Sequence, residues 1–171
     1  MSLNRQAVGW LLIAMFIVAL DQWTKYLAST QLNYGIPVEI LPVFNLTLQH
    51  NTGAAFSFLA DAGGWQRWFF TAVSSLVSIV LFVWLCRLPR KQPVLAASLS
   101  FILAGAVGNL WDRVALGYVV DFISVHYQGS FFPAFNIADS AITLGAAFMI
   151  LDMFMNPDNH QSDKSNAESK S

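Results

Sequence analysis

Apolar residues gather into four long runs, near residues 7–28, 68–86, 94–112 and 137–155. Each is long enough to cross a hydrocarbon layer, which takes about 20 helical residues at about 1.5 Å of rise apiece. The second run carries no charge from Trp68 to Cys86, whereas the first holds Asp21 and Lys25 and the fourth holds Asp139 and Asp152. Arg5 ahead of the apolar stretch from Ala7 to Leu20 imitates a signal peptide. Asp21 and Lys25 occupy the place of a cleavage region, however, so the segment reads as an uncleaved span. Between the runs the period changes. Phe44, Leu46 and Leu48 alternate with Asn45, Thr47 and Gln49 up to His50, the period of a half-buried strand, and Tyr118 to Val125 is a second β-rich run. The pattern predicts an α-helical multi-pass membrane protein: four transmembrane helices with a small β-sheet at the outer surface. Trp65, Trp68, Trp111 and Tyr118 are expected at headgroup level.

Composition points to the same solvent. Hydrophobic residues make up 56% and charged residues 11%, against about 25% charged in a soluble domain, too few to cover a water-facing surface. The net charge of −1 leaves no basic field for nucleic acid. The single cysteine, Cys86, excludes an intrachain disulfide and a Cys-rich zinc or iron–sulfur site. Arg87, Arg90 and Lys91 mark the short linker between the second and third spans as cytoplasmic. Both termini are then cytoplasmic, in agreement with Arg5, Lys164 and Lys170, and segments 29–67 and 113–136 lie outside. Residues 1–155 form one four-span domain, and 156–171, with almost nothing to bury, read as a disordered cytoplasmic tail.

Helical rise sets the depth of each intramembrane polar residue. Asp21 lies about 21 Å along from Ala7, and Asn109, Asp112 and Arg113 about 23–28 Å from Val94, all at the outer ends of their spans. Asp139 opens the fourth span at that level, Asp121 and Asn136 lie in the connection on that side, and Asn51 follows the first strand. Ionisable groups in a bilayer cost a few kcal/mol or more each and usually mark a functional bundle interior. Plain structural readings stand beside that one. Asp21 and Lys25 fit a neutralised i,i+4 ion pair, Asp112 and Arg113 fit interfacial charges reaching headgroups, and Asn136 with Asp139 fits a helix N-cap with an acid at N3. Asn109 and Arg113 share a helical face as paired support for an outer site. Asp152, about 20 Å along the helix from Asp139, reads as interfacial. Ala104, Gly108, Ala141 and Gly145 permit close helix approach.

His50 and His126 lack ligand spacing and read as strand residues, so no metal site is expected. A Ser-Lys pair would have to join Lys25 to Ser57, Ser124, Ser130 or Ser140, none of which has a motif around it. Carboxylates are the better reagents. Asp121 and Asp139 flank a connection whose ends return to one bundle, and two aspartates a few Å apart share a proton. The ionised one can activate water while the protonated one polarises a carbonyl, an arrangement suited to amide hydrolysis. The pair titrates as a unit. The competing class is a small transporter or proton relay using Asp21, Lys25, Asp121 and Asp139, although the spans offer few polar groups at the midplane. A non-catalytic scaffold is the third.

Five blocks in order, Asp21-Gln-Trp-Thr-Lys25, Asn51-Thr-Gly-Ala-Ala-Phe56, Gly105-Ala-Val-Gly-Asn-Leu-Trp-Asp-Arg113, Val119-Val-Asp-Phe-Ile123 and Phe135-Asn-Ile-Ala-Asp139, resemble the bacterial lipoprotein signal peptidases, signal peptidase II. The resemblance covers nearly all of the chain except the tail. One departure is Ala104 ahead of Gly105-Ala-Val-Gly, where many relatives have paired glycines. The resemblance implies an aspartic endopeptidase of the bacterial cytoplasmic membrane, acting near its periplasmic face on diacylglyceryl-modified prolipoproteins and cutting before the lipidated cysteine. Asp121 and Asp139 would be the catalytic pair. Asn51, Asn109, Arg113 and Asn136 would support it or contact substrate, Asp21 would be a structural or supporting polar residue, and the strands would form a periplasmic cradle. Membrane lipid as surroundings, a single chain as the working unit and no cofactor complete the expectation.

Overall fold

A computed structural model of the chain describes residues 5–53, 65–89 and 91–156. The elements are α1 (Arg5–Gln31), β1 (Val38–Leu41), β2 (Phe44–Asn51), α2 (Trp65–Arg87), α3 (Pro93–Ala115), β3 (Val119–Tyr127), β4 (Ser130–Phe131) and α4 (Ile137–Met155). Ala54, Ala55 and Phe56 of the second motif, Ser57, Arg90, Lys164, Lys170 and the tail from 157 lie outside the described residues. The four helices coincide with the four apolar runs, and all are long and apolar enough to cross a membrane. α1 and α3 continue three residues past their runs, and α2 starts at Trp65. α3 stops where Gly117 turns to φ 89° and the N–H groups of Leu116 and Gly117 both return to the Asp112 carbonyl.

α3 is the central helix. Of its most apolar stretch 61% is buried, against 22% or less in each of the other three, because it packs on α1, α2 and α4. Leu81, Leu85, Leu95, Leu99 and Leu103 form the core between α2 and α3. Outward, Leu12, Met15, Phe16, Leu76, Ile79 and Phe154 are exposed, as a lipid-facing surface requires. Close approach of α3 and α4 depends on small residues. A Cβ on Gly105 would overlap the Ala138 carbonyl and Ile142, and one on Gly108 would stand 2.7 Å from the Asp21 carboxylate. Gly105→Ala is expected to cost about 1–3 kcal/mol by overpacking, read as a lower Tm in detergent. Gly9→Ala, with nothing within 4 Å of the added carbon, should be neutral or stabilising.

At one end of the bundle the strands form an antiparallel sheet in the order β1-β2-β3-β4. Gln128 and Gly129, with φ of 48° and 82°, make the two-residue turn into β4. Leu48, Val120 and Phe122 pack on Ala28 and tie the sheet to α1. The alternation in β2 is not the expected apolar-in pattern. Asn45 and Thr47 are buried while Phe44 and Leu46 are half-buried, and an irregularity between Leu46 and Gln49 turns Leu48 inward as well. Trp65, Trp68 and Trp111 are exposed, but Tyr118 is half-buried and stacks on His50 at 4.0 Å. Asp152, in the last turn of α4, is buried and accepts from Asn156 Nδ2 at 2.9 Å.

Candidate active site

The sheet register brings the first carboxylate to its partners. Gln49 pairs with Asp121 and Asn51 with Val119, so Asn51 is the diagonal neighbour of Asp121 on one sheet face. Asn51 Nδ2 donates to Asp121 Oδ2 at 3.0 Å, while Asn51 Oδ1 accepts the Gly53 N–H at 2.9 Å and holds the amide in that sense. Phe135 exchanges backbone hydrogen bonds with Ile123, which lays the segment before α4 along β3 and sets Asn136 beside Asp121. Asn136 Nδ2 donates to Asp121 Oδ1 at 2.7 Å.

Asn136 is also the N-cap of α4. Its Oδ1 accepts the Asp139 N–H at 2.9 Å, and Asp139 Oδ2 accepts the Asn136 N–H at 3.3 Å, a reciprocal capping box. The cap expected from sequence is therefore also the residue that bonds the Asp121 carboxylate. One side chain holds the β3 carboxylate while its backbone holds the α4 carboxylate. From α3, Asn109 Nδ2 donates to Asp139 Oδ1 at 2.7 Å.

Beneath this pair lies a charged cluster. Lys25 Nζ is 2.8 Å from Asp21 Oδ2 and 2.8 Å from Asp112 Oδ2, and donates to Asn109 Oδ1 at 3.0 Å. Asp21 Oδ1 accepts the Ala138 N–H at 2.8 Å, so a carboxylate from α1 satisfies the first turn of α4 where the helix dipole favours it. Asp112 accepts the Val120 N–H at 3.1 Å and Gln22 Nε2 at 2.9 Å. The ion pair read for Asp21 and Lys25 is present, but Asp112 is 1% exposed and is not an interfacial charge reaching headgroups. All three Lys25 donors are engaged, and Ser140 Oγ donates to the Asn136 carbonyl, so no Ser-Lys pair forms between them.

Among the described residues Arg113 donates to the Asn109 carbonyl at 3.3 Å and lies 5.5 Å over the Phe70 ring, rather than bonding either carboxylate. Arg67, which the sequence reading passed over, binds the Arg113 and Val114 carbonyls at 2.9 Å each and closes the end of α3. Gln22 was also missed. Its place with Asp21 and Lys25 on one helical face was the available signal.

The carboxylates differ in setting. Asp121 is 2% exposed, whereas Asp139 is half-buried. Burial first, and then the negative charge of Asp139, push the Asp121 carboxyl up to about 7 against the pull of Asn51, Asn136 and Lys25. A polar cleft of about 240 Å³, lined by Gln49, His50, Asn51, Thr52, Asp121, Pro133 and Ala134, opens onto it. A larger apolar groove of about 750 Å³ between α1, α2 and α3 touches neither carboxylate. Among the described residues no cluster of three metal-ligating side chains forms. Two neighbouring carboxylates, one carrying a proton near neutral pH and one open to water, can run acid–base chemistry on an amide.

A family model described as signal peptidase (SPase) II matches residues 13–155. The chain is 60% identical over 145 residues to a lipoprotein signal peptidase of Acinetobacter baumannii, covering 85% of this chain and 82% of that one. It is 53% identical over 155 residues to that of Cellvibrio japonicus, covering 91% of each. A solved bacterial membrane enzyme matches at TM-score 0.77 and 35% identity, covering 88% of this chain and 90% of its own. Four apolar helices, the small antiparallel sheet and these likenesses agree, and the chain belongs to the signal peptidase II family.

Proposed function

We propose that this membrane protease removes the signal peptide from diacylglyceryl-modified prolipoproteins, cutting on the N-terminal side of the lipidated cysteine, with Asp121 and Asp139 activating water. The observation that carries the reading is Asn136, whose side chain binds Asp121 at 2.7 Å and whose backbone binds Asp139 at 3.3 Å, so one residue presents both carboxylates together. With one proton on the pair, the ionised carboxylate takes a proton from water as the water oxygen bonds to the scissile carbonyl carbon. The protonated partner donates to the developing oxyanion. The C–N bond then breaks as a proton passes to the cysteine nitrogen, which leaves as the free amine, and the pair regains its single proton. Water and the two aspartates supply every proton, so the cycle uses no cofactor.

In this reading both termini are cytoplasmic and the sheet lies at the periplasmic face, an orientation that the basic residues Arg87 and Lys91 between the second and third spans support, and the chain acts as a monomer surrounded by lipid. A lipid-anchored substrate already lies in that layer. It needs to bring only its cleavage site to the sheet end of the bundle, where the cradle and the polar cleft meet Asp121. Purified protein should release the signal peptide from a diacylglyceryl-modified prolipoprotein. Failure to cleave the modified substrate under conditions where the protein is folded would refute the activity.

The pH dependence follows from Asp121. Its carboxyl holds a proton from the ordinary 3.8 up to about 7, a window in which an unfolded chain has released it. Stability from this group is present at low pH and lost as pH rises through about 7. The pair loses its shared proton, and with it cleavage, as pH rises through about 7. The kcat/KM profile is expected to fall on an alkaline limb near 7, and a flat profile to pH 9 would count against a proton held by the pair.

A further inference from the structure

We propose that Lys25 is a positioning residue of the reaction, because its ammonium fixes which way the Asn109 amide faces and so presents an N–H to Asp139. The inference rests on the two-aspartate reading above. An asparagine amide has nearly the same shape in either orientation, and its neighbours decide between them. Lys25 is donor-only and stands 3.0 Å from Asn109 Oδ1, so the amide oxygen is held on the Lys25 side and Nδ2 is left for Asp139 Oδ1 at 2.7 Å. The opposite orientation would set an NH₂ against the ammonium and an amide oxygen against the Asp139 carboxylate, two repulsive contacts in place of two hydrogen bonds.

Lys25 cannot turn away from this task. It is 3% exposed, with its remaining donors on Asp21 Oδ2 and Asp112 Oδ2 at 2.8 Å each. The other donor to Asn109 Oδ1 is Asn136 Nδ2 at 3.3 Å, and that amide also serves Asp121 at 2.7 Å and the Val120 carbonyl at 3.2 Å. The buried triad of Asp21, Lys25 and Asp112 therefore does more than neutralise charge. It anchors an ammonium on α1 that orients an amide on α3 against a carboxylate on α4.

A purely structural lysine would lower stability without acting through Asn109, and a double-mutant cycle separates the two roles. We would measure kcat and KM per folded enzyme on a diacylglyceryl-modified prolipoprotein for Lys25→Met. Lys25→Met/Asp112→Asn would be measured beside it, since that variant keeps the triad at its native net charge of −1 should the single variant fail to fold. The expected result is a kcat lower by about 10- to 100-fold, the range for losing a hydrogen bond to a charged group, with KM changed little. In an Asn109→Ala background, removing Lys25 should change kcat by less than about 3-fold. Unchanged kcat in the folded variants, or losses that multiply with Asn109→Ala, would overturn the role of Lys25. Asp139→Asn in the same assay keeps the two ideas apart. Full turnover there removes the two-aspartate reading itself, whereas lost turnover there with a normal Lys25→Met kcat removes only the positioning role.

Discussion

Replacing Asp139 by asparagine is expected to lower turnover of a diacylglyceryl-modified prolipoprotein by about 10²- to 10⁴-fold while the bundle stays folded. An amide cannot take a proton from water at neutral pH, so the acid–base function is removed. The structural role is largely kept. Asp139 accepts from Asn109 Nδ2 at 2.7 Å and from the Asn136 N–H at 3.3 Å, and asparagine retains one oxygen for the shorter of these. Loss of the longer bond at the helix N-terminus should cost about 1 kcal/mol, small beside the loss of activity. Circular dichroism and Tm in detergent, run beside the cleavage assay, check both halves of the expectation.

The second large effect is expected at Asn136, where chemistry and stability meet. This side chain is fully buried and makes hydrogen bonds to Asp121, Val120, Asn109 and the Asp139 N–H. Asn136→Ala removes the cap of α4 and leaves the buried Asp121 Oδ1 without that donor. Together these should cost about 2–4 kcal/mol, with turnover down by at least about 10²-fold. Asn136→Ser divides the two effects, since serine caps a helix about as well as asparagine but cannot serve the same three acceptors. It should regain about 1 kcal/mol of stability without regaining turnover. Recovery of both in the serine variant would mean that Asn136 acts only as a cap.

Much of this arrangement was legible because a bilayer makes polar residues conspicuous. Asp21, Lys25, Asn109, Asp112 and Asp139 stand out against apolar spans, and helical rise alone sets them at the level of the connection that carries Asp121 and Asn136. The capping pattern at Asn136 and Asp139 was readable for the same reason, since its spacing is local. What depends on contacts between distant segments was not. Nothing local shows that Lys25 joins Asp112 as well as Asp21, because that bond crosses from α1 to α3. Asp112 was consequently readable as a surface charge, although it is buried and holds β3 through the Val120 N–H. The inversion of β2 has a similar origin. Alternation assumes one wet face, whereas here Asn45 and Thr47 are covered and the irregularity before Gln49 breaks the period. Arg67 carries no local signal of its role. Only the fold shows the open carbonyls of α3 that it closes.

Single-turnover cleavage of the lipidated substrate by Asp121→Asn, Asp139→Asn and the double variant, each normalised to folded protein, asks whether the two carboxylates react together. If the two carboxylates form one reacting unit, each single variant loses nearly all turnover and the double variant loses no more than either. Near-wild-type turnover in either single variant, or losses that multiply in the double, would mean that Asp121 and Asp139 do not act as a catalytic pair.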